Sequence, residues 1–199
     1  MRRGRVEILI LSPSYFEKEW TLRETLADRL AVSTDLGMDV VVSVIVDLLI
    51  RIPKIVSGGQ TGADRAALDW ALSHNLPCGG WCPKGRKAED GMIDSKYPLK
   101  ESPSASYLQR TEWNVRDSDA TVLFSIAPSL SGGSKKTVEF ANKHNKPCLH
   151  LHARQQDAAQ RLHAFLEDNF VETLNVAGPR ASKEPNVAQF VIETLDRAF

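Results

Sequence analysis

An α/β fold with a mainly parallel sheet follows from two features of this chain. From Ile52 onward, short apolar runs alternate with amphipathic stretches, the pattern of repeated strand and helix units. Three of the apolar runs are followed by glycine turns, around Gly58, Gly132 and Gly178, where strand-to-helix connections tighten.

The elements follow in order. Residues 52–57 predict a strand, 58–62 a tight turn and 63–74 a helix. Residues 77–81 are the next strand candidate. Residues 82–106 hold Pro83, Gly85, Gly91, Pro98 and Pro103 among many charges, and read as a long loop or lid. A helix over 107–116, a strand over 120–126, a helix over 135–144 and a strand over 147–151 come next. A helix over 153–169, a strand over 172–177 and a closing helix over 187–198 complete the series. Together they predict a Rossmann-like three-layer domain over residues 52–199, with about five parallel strands.

Composition narrows the function. The 199 residues balance 25 basic against 25 acidic side chains, which argues against a surface that holds nucleic acid by charge. Three cysteines cannot all pair with one another, so a reducing, cytoplasmic setting is expected. Glu7 interrupts the first apolar run and no cleavage site follows, so no signal peptide is expected. The most apolar window, residues 40–50, carries Asp47 and falls far short of the roughly 20 residues that span a bilayer.

Residues 1–51 break the rhythm. The segment from Ile8 to Trp20, followed by Glu24, resembles the late strand and helix of TIR domains, with their Trp-x-x-x-Glu spacing. In TIR enzymes that cleave NAD this Glu is catalytic, which the resemblance carries to Glu24. About a quarter of such a domain is present. The segment therefore reads as an N-terminal extension: a TIR-like remnant, a fusion scar or a misplaced start with Met38 as an alternative, or else an ordinary strand and helix added to the sheet.

The first glycine turn is the sharpest chemical signal. In Ser57-Gly58-Gly59-Gln60-Thr61-Gly62-Ala63-Asp64-Arg65 a strand runs into a helix N-terminus, whose free amides and dipole favour an anion. Thr61 offers a hydroxyl and Arg65 a cation. Asp64 either caps the helix, pairs with Arg65 or bonds a ligand N–H or hydroxyl. The spacing is neither Walker A nor the dinucleotide fingerprint.

Ser131-Gly132-Gly133-Ser134-Lys135-Lys136-Thr137 repeats the theme after the strand that ends near Ile126, and Gly178-Pro179-Arg180-Ala181-Ser182 repeats it again. Turns at the carboxyl ends of parallel strands share one crevice, which is where open α/β sheets bind ligands. In the lid, Lys84, Arg86 and Lys87 form a basic cluster suited either to closing over a phosphorylated ligand or to plain solvation. Trp81 either stacks on a heterocycle or packs in the core. Cys78, Cys82 and Cys148 lack the paired spacing of a zinc site, and His144, His150, His152 and His163 form no catalytic set, so structural roles and no metal are expected.

The run from Lys54 to Leu151 carries Ser-Gly-Gly-Gln-Thr-Gly-Ala-Asp-Arg, Gly-Trp-Cys-Pro-Lys-Gly-Arg, Tyr-Pro-Leu-Lys-Glu, Arg-Thr-Glu-Trp-Asn-Val-Arg-Asp-Ser-Asp and Ser-Gly-Gly-Ser. With the tail Asn-Val-Ala-Gly-Pro-Arg-Ala-Ser, it is similar to the putative molybdenum carrier family. That family belongs to a wider Rossmann-like group with the Lonely Guy and lysine-decarboxylase-like proteins. The resemblance covers residues 52–199 and implies a cytoplasmic homo-oligomer, a tetramer, that binds molybdenum cofactor, a phosphorylated molybdopterin, and stores, protects or delivers it. No nucleic-acid or membrane partner is implied.

In that reading the ligand-binding residues are Gly58, Gly59, Gln60, Thr61, Gly62, Asp64, Arg65, Lys84, Arg86, Glu112, Ser131, Gly132, Gly133, Ser134, Lys135, Gly178, Arg180 and Ser182. Asp64 or Glu112 would read the pterin N–H edge. A carrier needs no catalytic residue. The rival readings are a nucleotide-binding sensor and a Lonely Guy-like nucleoside monophosphate phosphoribohydrolase. The glycine pair and Glu139 keep that family's spacing, but Lys135-Lys136 replaces its Gly-Thr; as an enzyme, the chain would use Glu139 to stabilise an oxocarbenium-like transition state.

Overall fold

The computed structural model describes residues 52–199; the TIR-like segment and the rest of the N-terminal extension lie outside them. The first half contains β1 (Lys54–Val56), α1 (Ala63–Ser73), β2 (Cys78–Gly79), β3 (Trp81–Cys82), β4 (Lys87–Ala88), β5 (Gly91–Met92) and β6 (Lys100–Glu101). The second contains α2 (Tyr107–Arg116), β7 (Ala120–Ser125), α3 (Gly132–Lys143), β8 (Cys148–His152), α4 (Ala158–Asp168), β9 (Thr173–Ala177) and α5 (Val187–Ala198). No helix among the described residues is long and apolar enough to cross a membrane.

Among the described residues, five strands form one sheet in the order β2-β1-β9-β7-β8, and every pairing is parallel. The last strand in the chain thus lies in the middle, between β1 and β7. If β9 and α5 are placed ahead of β1, the same sheet becomes 3-2-1-4-5, the doubly wound Rossmann order. The fold is therefore Rossmann-like, with its first strand and helix transferred to the end of the chain. The order reverses between β9 and β7, which puts the crevice at the carboxyl ends of those two strands.

Strand alternation sorts the residues into layers. Ile55, Val122, Phe124, Leu151, Leu174 and Val176 enter one apolar cluster with α1, α4 and α5. The opposite face carries Asn175, whose amide donates to Thr121 at 3.1 Å, and Leu123, with α2 and α3 packed against each other. All six residues of β7 are buried, as a central strand covered on both faces requires. Trp70 of α1 reaches across to α5, donating to Asp196 at 2.6 Å with its ring against Phe199.

Three helices end in the same way. After α1, α3 and α4 the chain turns left-handed at Asn75, Asn145 and Phe170, with φ of 55°, 51° and 50°. In each case the next amide reaches back to cap the last turn: Leu76 to Ala71, Lys146 to Ala141 and Val171 to Leu166. These Schellman caps deliver the chain directly into β2, β8 and β9.

The expected strand over 77–81 is split at Gly80, whose φ of 124° and contact with the Ser57 carbonyl leave no room for a Cβ, so Trp81 and Cys82 leave the main sheet. The lid is not a plain loop. β3 pairs parallel with β6, β4 pairs antiparallel with β5, and Cys82, Ile93, Tyr97 and Leu99 bury against Leu68 of α1 in a second core. Helix α3 begins at Gly132, ahead of the expected start, because the glycine turn itself forms its first turn. Helix α4 begins late, at Ala158, because Ala153 donates to the Ser125 carbonyl and the next residues form turns.

Candidate functional site

The site grows from the exit of β1. Ser57 donates to the Val176 carbonyl at 2.6 Å, locking β1 to β9 where both strands end. Gly62 has a φ of 80°, and a Cβ there would meet the Pro179 carbonyl at 2.5 Å and the Ala181 nitrogen at 2.7 Å. Ala63 donates to that same carbonyl at 3.3 Å. The first and third glycine turns are thus one interlocked unit. Gly178 completes it: a Cβ there would lie 2.6 Å from both the Ala63 Cβ and the Phe124 carbonyl oxygen.

Arg110 of α2 backs this unit from behind. It donates to Asp64 at 2.8 Å, and Asp64 is 2 % exposed. Burial pushes the Asp64 carboxyl above its ordinary range against the pull of Arg110. Of the roles open to Asp64, the structure shows a buried ion pair, with Arg110 and not with Arg65. Three buried donors, Gln60 Nε2, Arg65 Nε and Arg110 Nε, have no hydrogen-bond partner among the described residues. All three belong to this turn or its backing, so the unit has spare donor capacity.

The hairpin of β4 and β5 folds over the turn and presents Glu89 and Asp90 at its tip. Glu89 accepts from the Thr61 hydroxyl and from the backbone amide and hydroxyl of Ser182, with Arg180 3.8 Å away. Its amide donates to Gln60 at 2.9 Å. Asp90 takes both terminal nitrogens of Arg65, and Arg65 also reaches the Gly59 carbonyl at 3.2 Å. The hydrogen bonds from Ser182 and Thr61 hold the Glu89 carboxyl below the usual range, and Arg65 does the same for Asp90. Although its backbone lies in an exposed turn, the Glu89 side chain is only 18 % exposed.

Thr61, Arg65, Arg180 and Ser182, singled out from separate stretches of sequence, therefore meet around one pair of carboxylates. Hydroxyl, amide and guanidinium donors that close on a carboxylate are the donors that hold any oxyanion.

The second glycine turn opens α3. A Cβ on Gly132 or Gly133 would meet nothing within 4 Å, in contrast to the crowding at Gly62 and Gly178. Ser131 and Lys135 are exposed and Ser134 is buried. The loop before this turn is tied to the third turn, since the Ile126 amide donates to the Glu184 carboxylate.

Other candidates are engaged elsewhere. Arg86 donates to the carbonyls of Ile93, Asp94, Tyr97 and Leu99, so it organises the lid. Glu112 accepts from Lys143 at 2.6 Å and His144 at 3.0 Å, at the end of α3 remote from the glycine turn, about 16 Å along a helix of this length. Lys84 is exposed. Trp81 donates to Asp117 at 2.8 Å and packs edge-on against Trp113 of α2. Glu139 pairs with Lys136 on the exposed side of α3. Among the described residues no group of three or more His, Cys, Asp or Glu is arranged to hold a metal ion.

Sequence reasoning missed Glu89, Asp90 and Arg110. The first two had a signal, an acidic pair followed by Gly91 in a chain where three other turns offer donors. Arg110 opens one of the motifs that carry the family resemblance, but nothing local marks a helical arginine as the partner of an aspartate 46 residues earlier.

Comparison with known proteins agrees with the strand order. Residues 55–199 match the model of the circularly permutated YpsA SLOG family, the rearrangement already visible in the strand order. The crystal structure of a putative molybdenum carrier protein from Syntrophus aciditrophicus SB is 47% identical, covering 75% of this chain and 96% of that one with a TM-score of 0.73. No curated protein matches. The chain belongs to the circularly permutated YpsA SLOG family and, with that relative, to the putative molybdenum carrier family.

Proposed function

We propose that the chain is a small-molecule binding protein that stores, protects or delivers molybdenum cofactor, holding the anionic phosphate or oxo-metal end of a molybdopterin in the crevice of β1, β9 and β7. One observation carries the reading: Thr61, Ser182, Arg180 and Arg65, brought from two strand ends, already grip carboxylates there. The open backbone at Gly132 and Gly133 supports it, since a ligand needs space against the amides of a helix N-terminus. So does the relative named as a molybdenum carrier. Three cysteines, which cannot all pair with one another, support a reducing, cytoplasmic setting, and we take the protein to be a homo-oligomer.

The test is native mass spectrometry of the protein incubated anaerobically with molybdenum cofactor, nucleoside monophosphates and ADP-ribose in competition. Retention of intact molybdopterin, lost in Arg180→Ala, is the expected result. Retention of a nucleotide alone, or release of a free base from a nucleoside monophosphate, overturns the carrier and turns attention to Glu139.

A further inference from the structure

Resting on the anion-crevice reading, we propose that Glu89 is a selectivity residue: its carboxylate sits where the ligand's anionic group binds, and only an anion that replaces it on Thr61, Ser182 and Arg180 is admitted. The contacts are those of a bound ligand, not of a structural tether. Glu89 receives two hydroxyls and a backbone amide and lies 3.8 Å from a guanidinium. Each of these donors belongs to the strand-end turns and not to the hairpin itself.

The hairpin tip is built to leave. Gly91 has a φ of 119° and open space around it, and Met92 is 79 % exposed, so beyond Ala88, which packs on the second core, little apolar contact holds the tip down. Its base is fixed by contrast, through buried Ile93 and the carbonyls gathered by Arg86. The Glu89 carboxylate itself is held by polar contacts, and displacing it also takes Asp90 off Arg65, freeing a second cation.

Selectivity follows from the exchange. A monoanionic carboxylate entering the crevice merely substitutes for Glu89 and gains little. A dianionic phosphate brings a third oxygen and a second charge, and engages Arg65 as well as Arg180.

Titration calorimetry at fixed ionic strength with inorganic phosphate and with acetate tests this on the wild type and on Glu89→Gln, with Glu193→Gln on α5 as a control for net charge. Expected are phosphate binding about tenfold tighter in Glu89→Gln, acetate binding that appears only in that variant, and an unchanged affinity in Glu193→Gln. If the wild type binds phosphate and Glu89→Gln binds it equally or more weakly, the selectivity role is overturned while the anion crevice stands. If neither protein binds phosphate, both fall. Amide hydrogen exchange on the wild type gives an independent check. Saturating phosphate should accelerate exchange at residues 88–92, and unchanged or slower exchange there overturns displacement of the tip.

Discussion

Arg110 donates from Nη1 to the buried Asp64 at 2.8 Å, and the same guanidinium lies across Gly58 so closely that a Cβ there would fall 1.5 Å from that nitrogen. One helical side chain thus neutralises a buried acid and forms the floor of the glycine turn. Arg110→Met would leave the carboxylate buried and unpaired, and should destabilise the domain by about 3–5 kcal/mol in urea unfolding. Burial already raises the Asp64 carboxyl, and losing Arg110 raises it further. A group raised on folding contributes its stability below its unfolded pKa and loses it as pH rises. The deficit of Arg110→Met should therefore be smallest in acid and grow through the carboxylate range. A deficit independent of pH would mean that the arginine matters only as packing.

Two glycines with opposite surroundings should respond oppositely. Gly62→Ala forces a Cβ against the Pro179 carbonyl at an unfavourable φ, and should destabilise by more than about 2 kcal/mol. Gly133 has open space and no positive φ, so Gly133→Ala should leave stability unchanged or raise it by up to about 1 kcal/mol, helix propensity favouring alanine. Its cost should fall on ligand affinity. Thermal unfolding of both variants, with and without molybdenum cofactor, separates the two effects.

Phe170 holds the left-handed position after α4 that Asn75 and Asn145 hold after α1 and α3, and the residue is 84 % exposed. Phe170→Gly should stabilise by about 1 kcal/mol, because glycine adopts this conformation without steric penalty and the ring buries little. A rise in melting temperature of about 3 °C is the expected reading. A fall would show that the exposed ring has a partner in solution.

Acid should act in two stages. Burial holds the His150 imidazole below its ordinary value, so the unfolded chain binds its proton first and stability declines as pH falls through about 6.5. His150→Gln should remove that stage. Glu89, Asp90, Glu112 and Asp117 are all held low by their partners, so their contribution is present above the ordinary carboxylate range and is lost as pH falls below it. Urea midpoints measured from pH 8 to 3 give both stages. A profile flat down to pH 5 would remove the histidine from the account.

The helices were the most legible elements. The bounds of α2 and α5 agree with those read from periodicity, because amphipathic spacing is a local property and survives folding. Strand order was not legible. Each apolar run looks alike, and nothing in residues 173–177 announces that this strand enters between β1 and β7. The lid misled for a related reason. Ile93, Tyr97 and Leu99 are scattered among charges, and only Leu68, far back in the chain, makes a core of them. At the site, residues next to glycine turns were readable because backbone geometry marks them, whereas Glu89 and Asp90 looked like any solvated acidic pair.

The transferred strand also dictates when the protein can come into being on the ribosome. β9 is the middle of the sheet and Arg180 and Ser182 follow it, so a nascent chain that has emerged only as far as β8 holds two half-sheets with a gap between them. On the β1 side of that gap, pairing joins residues 119 positions apart, a long-range closure of the kind that slows folding. β9 and the turn after it must be made before any crevice exists, so a product truncated ahead of β9 exposes apolar strand edges and has no means of capturing a ligand.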